Sequence, residues 1–438
     1  MPSDLARRFT AASFIATALP PAGVAGLDYD ATKATPRRKK PVSLLRTEDA
    51  ELDRSQRGAL ITSSRDAVRN FTIAGWAIRQ HLNYVASFSL QFRTASADRN
   101  KALEAWVTRW ARAENCDAAA RHPLRRALRM AEARATIDGD CLAVKLADGS
   151  VAWIEGDRIG TPNASAVPPA TAGLTLTHGV EHTAAGRAVN YLICNRGRDG
   201  RSLTFDRRVA AKNALLHAKW DNFRFDAVRG VSPVASALNS YRDLYEGIDF
   251  ALAKAKIAQL FGLVIYRDAI TGQLDGRTTA ETQEAAAETE ESDAPRYDVD
   301  LGQGPAMLDL DPGDKAEILE SKNPSTEFQS FVNVCVAIAL KSVDIPYCFW
   351  DEAHTNYSGA RQAWIQYEMG AREKRADLAD LLDRLLEWRL ALAVAAGDPT
   401  LPRGLRLDEL AWEWVPCGQP WIDPLKEIQA SALEIGHA

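Results

Sequence analysis

The sequence predicts an α+β chain in which long helices bracket a β-rich patch. Three observations lead there. Apolar residues recur at helical spacing from about residue 51 to 133 and again after residue 327. Short apolar runs separated by Asp-Gly, Gly and Asn fill 141–220. One uninterrupted helical stretch, 232–260, would measure about 40 Å at 1.5 Å per residue, a length uncommon in globular domains and suited to spanning something.

Residues 1–54 read as an N-terminal arm. Arg7 and Arg8 precede a mildly apolar run, Phe9 to Leu19, that imitates a secretory signal, but Thr10, Ser13 and Thr17 interrupt it. Pro20 to Lys40 is rich in Pro, Gly and basic residues and ends in Pro36-Arg37-Arg38-Lys39-Lys40. Such a run suits a solvated tail, or a contact with nucleic acid or a neighbouring subunit.

From about Glu51 the pattern is helical. Val68, Phe71, Ile73, Trp76, Ile78, Leu82 and Val85 make one apolar face, with a break expected at Gly75. A second helix carries Leu103, Trp106, Val107 and Trp110. A third runs from Pro123 through Leu124, Leu128, Met130 and Ala133, with Arg125, Arg126 and Arg129 on its outer side. The period then shortens. Cys141–Leu146 and Val151–Ile154 flank Asp148-Gly149, a hairpin signal. Val180–Thr183, Val189–Cys194 and Leu215–Trp220 continue as strands.

At Val231-Ser232-Pro233 a helix is expected to begin, with Ser232 as cap and Pro233 in its first turn. Residues 261–300 hold ten acidic and three basic residues, a local charge of −7. Thr278 to Asp293 has almost nothing to bury, which suits a mobile acidic insert. Glu327 to Val343 is a second strong helix, with Phe328, Phe331, Val332, Cys335, Ile338 and Ala339 assigned to one face. Ser358 to about Ala396 is a third, ended by Gly397-Asp398-Pro399. The remainder is tryptophan-rich (Trp412, Trp414, Trp421), with a short helix expected after Pro424. Trp364, Trp388, Trp412 and Trp414 are expected to anchor the core or a subunit interface.

Several function classes lose support. A formal charge of −5 argues against coating nucleic acid by charge alone. Six scattered cysteines without a CxxC suggest reduced thiols, neither a disulfide framework nor a zinc site. No run reaches the roughly 18 apolar residues that a membrane span needs. The sequence has no GxxxxGK[ST], GxSxG, HExxH or GxGxxG in the required context, and no cofactor is expected. His178 and His182 lie four apart in strand or loop, where that spacing does not align them, so surface histidines are expected. The one enzymatic alternative is a divalent-metal phosphodiesterase using Asp138, Asp140, Glu155 and Asp157, although turn chemistry explains Asp138-Gly139-Asp140 as well. A scaffold that assembles through its long helices without DNA is a third reading.

Four segments, in order, resemble the portal proteins of lambda-family tailed phages. They are Arg65 to Tyr84 with Gly139-Asp140-Cys141 and Ile154-Glu155-Gly156-Asp157-Arg158-Ile159; Val228-Arg229-Gly230-Val231-Ser232-Pro233; Leu308 to Gly313 with Val343-Asp344-Ile345-Pro346-Tyr347 and Asn356-Tyr357-Ser358-Gly359-Ala360-Arg361; and Trp421-Ile422-Asp423-Pro424-Leu425-Lys426-Glu427. Two departures stand out: Gly156 replaces the family's frequent Pro or Ser, and Asp344 replaces its usual Gly.

The resemblance implies a non-enzymatic portal-type fold: a wing at 55–231, paired stem helices at 232–260 and 321–345, and a clip at 261–320 containing the acidic insert. A tunnel loop at 346–359, a wing-crossing helix at 360–398 and a short C-terminal wing/crown segment at 399–438 would complete it. It further implies a ring of about twelve subunits, assembled in the host cytoplasm and placed at the virion's head–tail vertex. Double-stranded DNA would pass through it, and it would meet the large terminase, neck or adaptor proteins, capsid and scaffold, and no membrane. His354, Thr355, Asn356, Tyr357, Ser358 and Arg361 are the implied tunnel-loop residues near DNA. Lys254 and Lys256 are the candidate lumen cations of the stem.

Overall fold

A computed structural model describes residues 47–200, 202–221, 223–260, 263–267, 314–318, 326–351, 357–416 and Ala432; side chains at 257–260, 263–267, 314–318, 326–327 and 357–358 are not described. The arm through residue 46, the acidic insert and the Trp421–Glu427 motif lie outside the described residues.

After a single turn, α1 (Glu48–Glu51), the chain enters α2 (Arg54–Asn70) through a capping box. The Asp53 carboxylate accepts from Gln56 N at 2.9 Å, and the Gln56 side chain accepts from Asp53 N at 3.2 Å. The break before α3 (Thr72–Val85) falls at Phe71, whose extended backbone (φ −102°, ψ 111°) ends one helix and starts the next. It does not fall at Gly75. That glycine is buried inside α3, where a Cβ would sit 3.0 Å from the Val68 carbonyl oxygen, so it is there for close backbone approach and the helix continues through it.

Strand β1 (Phe88–Phe92), α4 (Ala97–Trp110), the short α5 (Ala113–Cys116) and α6 (Leu124–Asp138) follow. Arg125 and Arg126 are exposed on α6 as expected, but Met130 is 45% exposed and does not join the core. Next come β2 (Asp140–Lys145) and β3 (Val151–Glu155), joined at Gly149 with φ +85°. Then β4 (Thr175–Thr177), β5 (Val180–His182), β6 (Ala188–Arg196) and β7 (Leu203–Ala210) form an antiparallel four-stranded sheet in sequence order. Strand β8 (Ala214–Ala218) returns to pair with β2, giving a three-stranded sheet β3-β2-β8. Periodicity missed β4 and β7, because β7 is rich in charged residues with only Val209 buried and β4 has only three residues.

Pro233–Ala237 is a 3-10 turn that leads into α7 (Leu238–Leu260). Ser232 does not cap it; its buried hydroxyl donates to the Thr136 carbonyl at 2.8 Å and ties the turn to α6. Antiparallel β9 (Leu263–Arg267) and β10 (Asp314–Ile318) connect α7 to α8 (Thr326–Leu340). A 3-10 turn, Lys341–Val343, closes that segment. The 39-residue α9 (Tyr357–Ala395) crosses the core, and β11 (Trp412–Pro416) pairs with β1. Leu378, Leu382, Leu385, Leu386 and Leu390 of α9 are fully enclosed with Leu103, Trp106 and Val85. Trp412 and Trp414 pack onto this core, and both indoles donate to the Asp383 carboxylate, at 2.7 and 2.8 Å.

Asp344 occupies the left-handed region, φ 62° and ψ 17°. The turn therefore keeps the conformation that a glycine would supply, at a steric cost of about 1–2 kcal/mol for an ordinary L-residue. The Asp344 carboxylate takes a 2.7 Å hydrogen bond from Lys374, an exposed contact of small worth. Asp344→Val is expected to destabilise the fold by about 1–2 kcal/mol and Asp344→Gly by less than about 0.5 kcal/mol, measured by urea denaturation.

Candidate structural junction and assembly surface

Residues of two of the family-like segments, Gly139 to Ile159 and Val228 to Pro233, converge in space on one buried ion pair. Gly139 ends α6 at φ +100° and delivers Asp140 into the first position of β2. The chain returns 89 residues later at Arg229, which is wholly buried. Its Nε and Nη2 donate to the two Asp140 carboxylate oxygens at 2.5 Å each. Nη1 donates to the carbonyls of Ile159 (2.6 Å) and His178 (2.9 Å), and Nη2 also to that of Gly156 (2.8 Å). All five guanidinium donors are thereby used, which is the condition for burying an arginine at all. Gly230 N donates to Asp140 as well, and the Gly230 carbonyl accepts from Arg57 Nη1 at 2.8 Å.

Glycine is required around this pair. A Cβ on Gly139 would lie 2.7 Å from the Gly230 carbonyl oxygen, and one on Gly156 would lie 2.7 Å from both the backbone and side-chain oxygens of Asp140. The departure at position 156 is therefore built into the packing of this chain. Gly156→Ala is expected to lower stability by about 1–3 kcal/mol, read as a shift of the thermal midpoint.

The carboxylates weighed as a metal site separate into two groups. Asp138, Glu155 and Asp157 do approach one another, with ligand atoms within 4.8 Å. Two arginines already hold them. Arg65 donates to Asp138 at 2.8 and 2.6 Å, to Asp157 at 2.9 Å and to Glu155 at 3.2 Å. Arg196 donates to Asp157 at 2.7 and 2.6 Å and to Glu155 at 2.5 Å. Burial works against the charge on Asp157, but the Arg196 hydrogen bonds and the Arg65 charge outweigh it and hold its pKa below the usual value. Asp140 is committed to Arg229 and does not join this group. The expected four-carboxylate constellation is thus a correction: it is two arginine-neutralised structural junctions.

His178 and His182 are corrected too. Neither is a free surface histidine. His178 Nε2 meets the Asp49 carbonyl at 3.0 Å, and His182 Nε2 meets Thr177 Oγ1 at 3.0 Å.

A second buried cluster escaped the sequence reading. Glu132 is fully buried on α6, its carboxylate 2.6 Å from His81 Nε2, 2.7 Å from His217 Nε2 and 2.7 Å from Lys219 Nζ. Burial alone would raise the Glu132 pKa, but the Lys219 charge and the two histidine hydrogen bonds hold it well below the ordinary 4.5. Burial pushes His81 below the ordinary 6.5. The two shifts act in the same direction on acidification. Below pH 6.5 the unfolded chain takes up a proton that buried His81 resists, and as pH falls through the folded pKa of Glu132 the stability from its charged form is lost. Thermal melts between pH 7 and 4 are expected to show a midpoint falling from about pH 6.5 downward, and His81→Gln is expected to reduce the upper part of that fall, to which partly buried His178 also contributes. The only sequence trace of this cluster was isolated polar residues inside apolar runs.

The long helices present a different surface. Helix α8 is apolar on nearly all sides, and of the six residues expected on one face only Ala339 is buried, with Phe331 and Ile338 exposed and Phe328, Val332 and Cys335 half-buried. Val336, Ala339 and Leu340 are buried, whereas Phe331, Val334 and Ile338 point outward at 51–58% exposure. On α7, Ile248, Phe250 and Leu252 are exposed, Phe250 at 72%, and on α9 so are Ile365 and Met369. Gly247 of α7 lies against the Phe331 ring, 3.9 Å from where its Cβ would be, which lets the two helices approach.

Lys254 and Lys256 are both exposed on α7, with no ion-pair partner among the described residues. Two residues apart on a helix, they project roughly 200° from one another, so no single surface receives both. Of the implied tunnel-loop residues, His354, Thr355 and Asn356 lie outside the described residues. Tyr357 and Ser358 open α9, and Arg361 is exposed in its second turn. Among the described residues no helix is long and apolar enough to cross a membrane, and Cys116, Cys141, Cys194, Cys335 and Cys348 are free thiols.

No curated protein matches the chain. Among solved structures, a chain in the neck of an empty gene transfer agent particle, computed with C6 symmetry, aligns at a TM-score of 0.44 and 15% identity, covering 87% of this chain and 90% of that one. One in the neck of the native particle, computed with C12 symmetry, aligns at 0.43 and 14%, covering 88% and 90%. A family model described as phage portal protein, lambda family, matches residues 36–375, well over half of the sequence. The chain belongs to the lambda family of phage portal proteins, structural proteins without catalytic activity.

Proposed function

We propose that this chain assembles into a closed ring, of twelve subunits, around a channel through which double-stranded DNA enters and leaves a phage-type particle at the head–tail vertex. The observation that carries the reading is the apolar exterior of the α7–α8 pair. Phe250, Leu252, Phe331, Val334 and Ile338 are exposed on helices that a lone chain would be expected to cover. In a family of ring-forming portals, a neighbouring copy is the covering surface of matching chemistry.

In that ring α7 and α8 form the stem, and residues 55–231 the wing. Residues 261–320, whose first forty carry a charge of −7, form the clip that meets the large terminase during packaging and neck or adaptor proteins afterwards. Residues 346–359 form the tunnel loop, 360–398 the wing-crossing helix, and 399–438 the short C-terminal wing/crown segment. Because Lys254 and Lys256 diverge around α7, at most one of them lines the lumen, beside Arg361 and the loop residues 354–358. A net-acidic chain suits passage of a duplex, since neutralising many phosphates would hold it in place.

Negative-stain electron microscopy with native mass measurement tests this directly. Rings of about a dozen copies with a duplex-sized hole are expected. A monomer or dimer under every assembly condition would remove the reading. A large assembly without such a hole would favour a scaffold that never touches DNA.

A further inference from the structure

The amino end of α2 keeps donors that its own cap does not use. Of the four N–H groups that open the helix, those of Asp53 and Gln56 are taken by the capping box, and those of Arg54 and Ser55 have no partner within the helix. This turn forms one side of a cleft of about 920 Å³, and residues 156–163 with the ends of β6 and β7 form the other. Four arginines line it, Arg54, Arg57, Arg65 and Arg196, against two carboxylates, Asp53 and Asp157. His178, a further titratable group of the lining, is pushed below the ordinary 6.5 by burial and adds no charge at neutral pH.

Two of the arginines are already neutralised, since Arg65 and Arg196 hold Asp138, Glu155 and Asp157. Arg57 is in a different position. It is only 7% exposed, and its Nη1 donates to the Gly230 carbonyl. Its Nε and Nη2 are buried and have no hydrogen-bond partner among the described residues. Asp140 and Asp49 act on it through their charge alone: Asp140 is held by Arg229, and Asp49 accepts from Val228 N at 3.0 Å. Burial and the Arg229 charge outweigh both and push the Arg57 pKa down to about 10. A buried guanidinium without a paired anion destabilises a fold, and an anion beside it removes that penalty.

The occupant's chemistry follows from the lining. A surplus of two positive charges matches the charge of a phosphate group at neutral pH. Helix-start N–H groups and arginine forks are the donors that hold phosphate oxygens. The cleft has the size of a small-molecule site. A Cβ on Gly58 or on Gly160, both in the lining, would meet nothing within 4 Å among the described residues.

We propose that this cleft binds a phosphate group, as the free ion or as the phosphate of a small nucleotide, with Arg57 as its buried counter-charge and Arg54 and the first turn of α2 beside it. The bound anion joins α2 to the β-rich patch next to the Arg229 junction. Every lining residue comes from one subunit, so the site does not depend on how copies assemble.

Isothermal titration calorimetry of the full chain with inorganic phosphate, at constant ionic strength, tests the proposal. Saturable binding of one phosphate per subunit is expected. Gly58→Asp brings a carboxylate to the cleft and is expected to weaken binding roughly tenfold, as a like charge nearby does at a protein surface. Gly58→Asn, of the same size without the charge, is expected to keep wild-type affinity. Arg57→Met is expected to abolish binding; because Arg57 also holds Gly230, its melting curve is recorded alongside, and the Gly58 pair decides the matter if that variant does not fold. Deoxyadenosine monophosphate, titrated in the same way, separates the two sources. Tighter binding than inorganic phosphate assigns the site to a nucleotide, and equal or weaker binding to the free ion. No saturable binding of either by the wild-type chain, or equal affinities for Gly58→Asp and Gly58→Asn, would overturn the assignment.

Discussion

Replacing Arg229 by Met is expected to destabilise the folded subunit by about 3–5 kcal/mol, because it leaves the Asp140 carboxylate buried without its counter-charge. The pair is wholly enclosed, and Arg229 also satisfies the carbonyls of Gly156, Ile159 and His178. Loss of one side chain therefore strands a charge and three acceptors, and joins two chain segments 89 residues apart less firmly. A drop in thermal midpoint on the order of 10 °C is the expected reading. The double variant Arg229→Met with Asp140→Leu is expected to recover part of the loss, since no isolated charge remains, though the three carbonyls stay unsatisfied. A cost below about 1 kcal/mol for the single change would mean that water reaches the site and that the junction is not what holds these motifs together.

The second large effect concerns assembly and leaves the fold intact. Val334→Asp combined with Ile338→Asp places two carboxylates on the exposed side of α8, where both side chains are more than half in solvent. Surface changes of this kind alter the stability of an isolated chain by about 0.5 kcal/mol or less. In a ring whose subunits meet along this helix, the same changes bury unpaired charges at every interface, at several kcal/mol each. The expected outcome is a monomer with a normal melting curve and at least a tenfold loss of rings by size-exclusion chromatography and electron microscopy. Rings that persist at wild-type yield would move the interface away from α8.

These two predictions separate what was readable in the sequence from what was not. The α+β organisation, the hairpin at Gly149, the helices expected over 232–260, 327–343 and 358–396 and found within a few residues of those bounds, and the arginine-bearing outer face of α6 follow from periodicity and turn chemistry. So does the absence of an enzyme's usual motifs, and the ordered set of short motifs was enough to point to the family. Local signals were misleading where packing between elements decided the conformation. Gly75 carries the breaker signal, yet it is needed because α2 and α3 approach closely, and the break falls at Phe71. Ser232 has cap chemistry, yet its hydroxyl is spent on Thr136 of α6.

The sequence by itself determined the periods, the charge asymmetry and the motif order, because each is a property of residues near one another along the chain. Only the tertiary structure decided which charges are neutralised and which apolar residues remain uncovered. Asp138, Asp140, Glu155 and Asp157 look alike as a string of carboxylates; their separation into an Arg65–Arg196 cluster and an Arg229 pair depends on chain returns of 39 to 92 residues. Likewise α8 reads as a single apolar helix, and the division between buried Val336 and exposed Val334 exists only once α7 has packed against one side of it. Burial and pairing are relations between distant segments, and no local pattern encodes them.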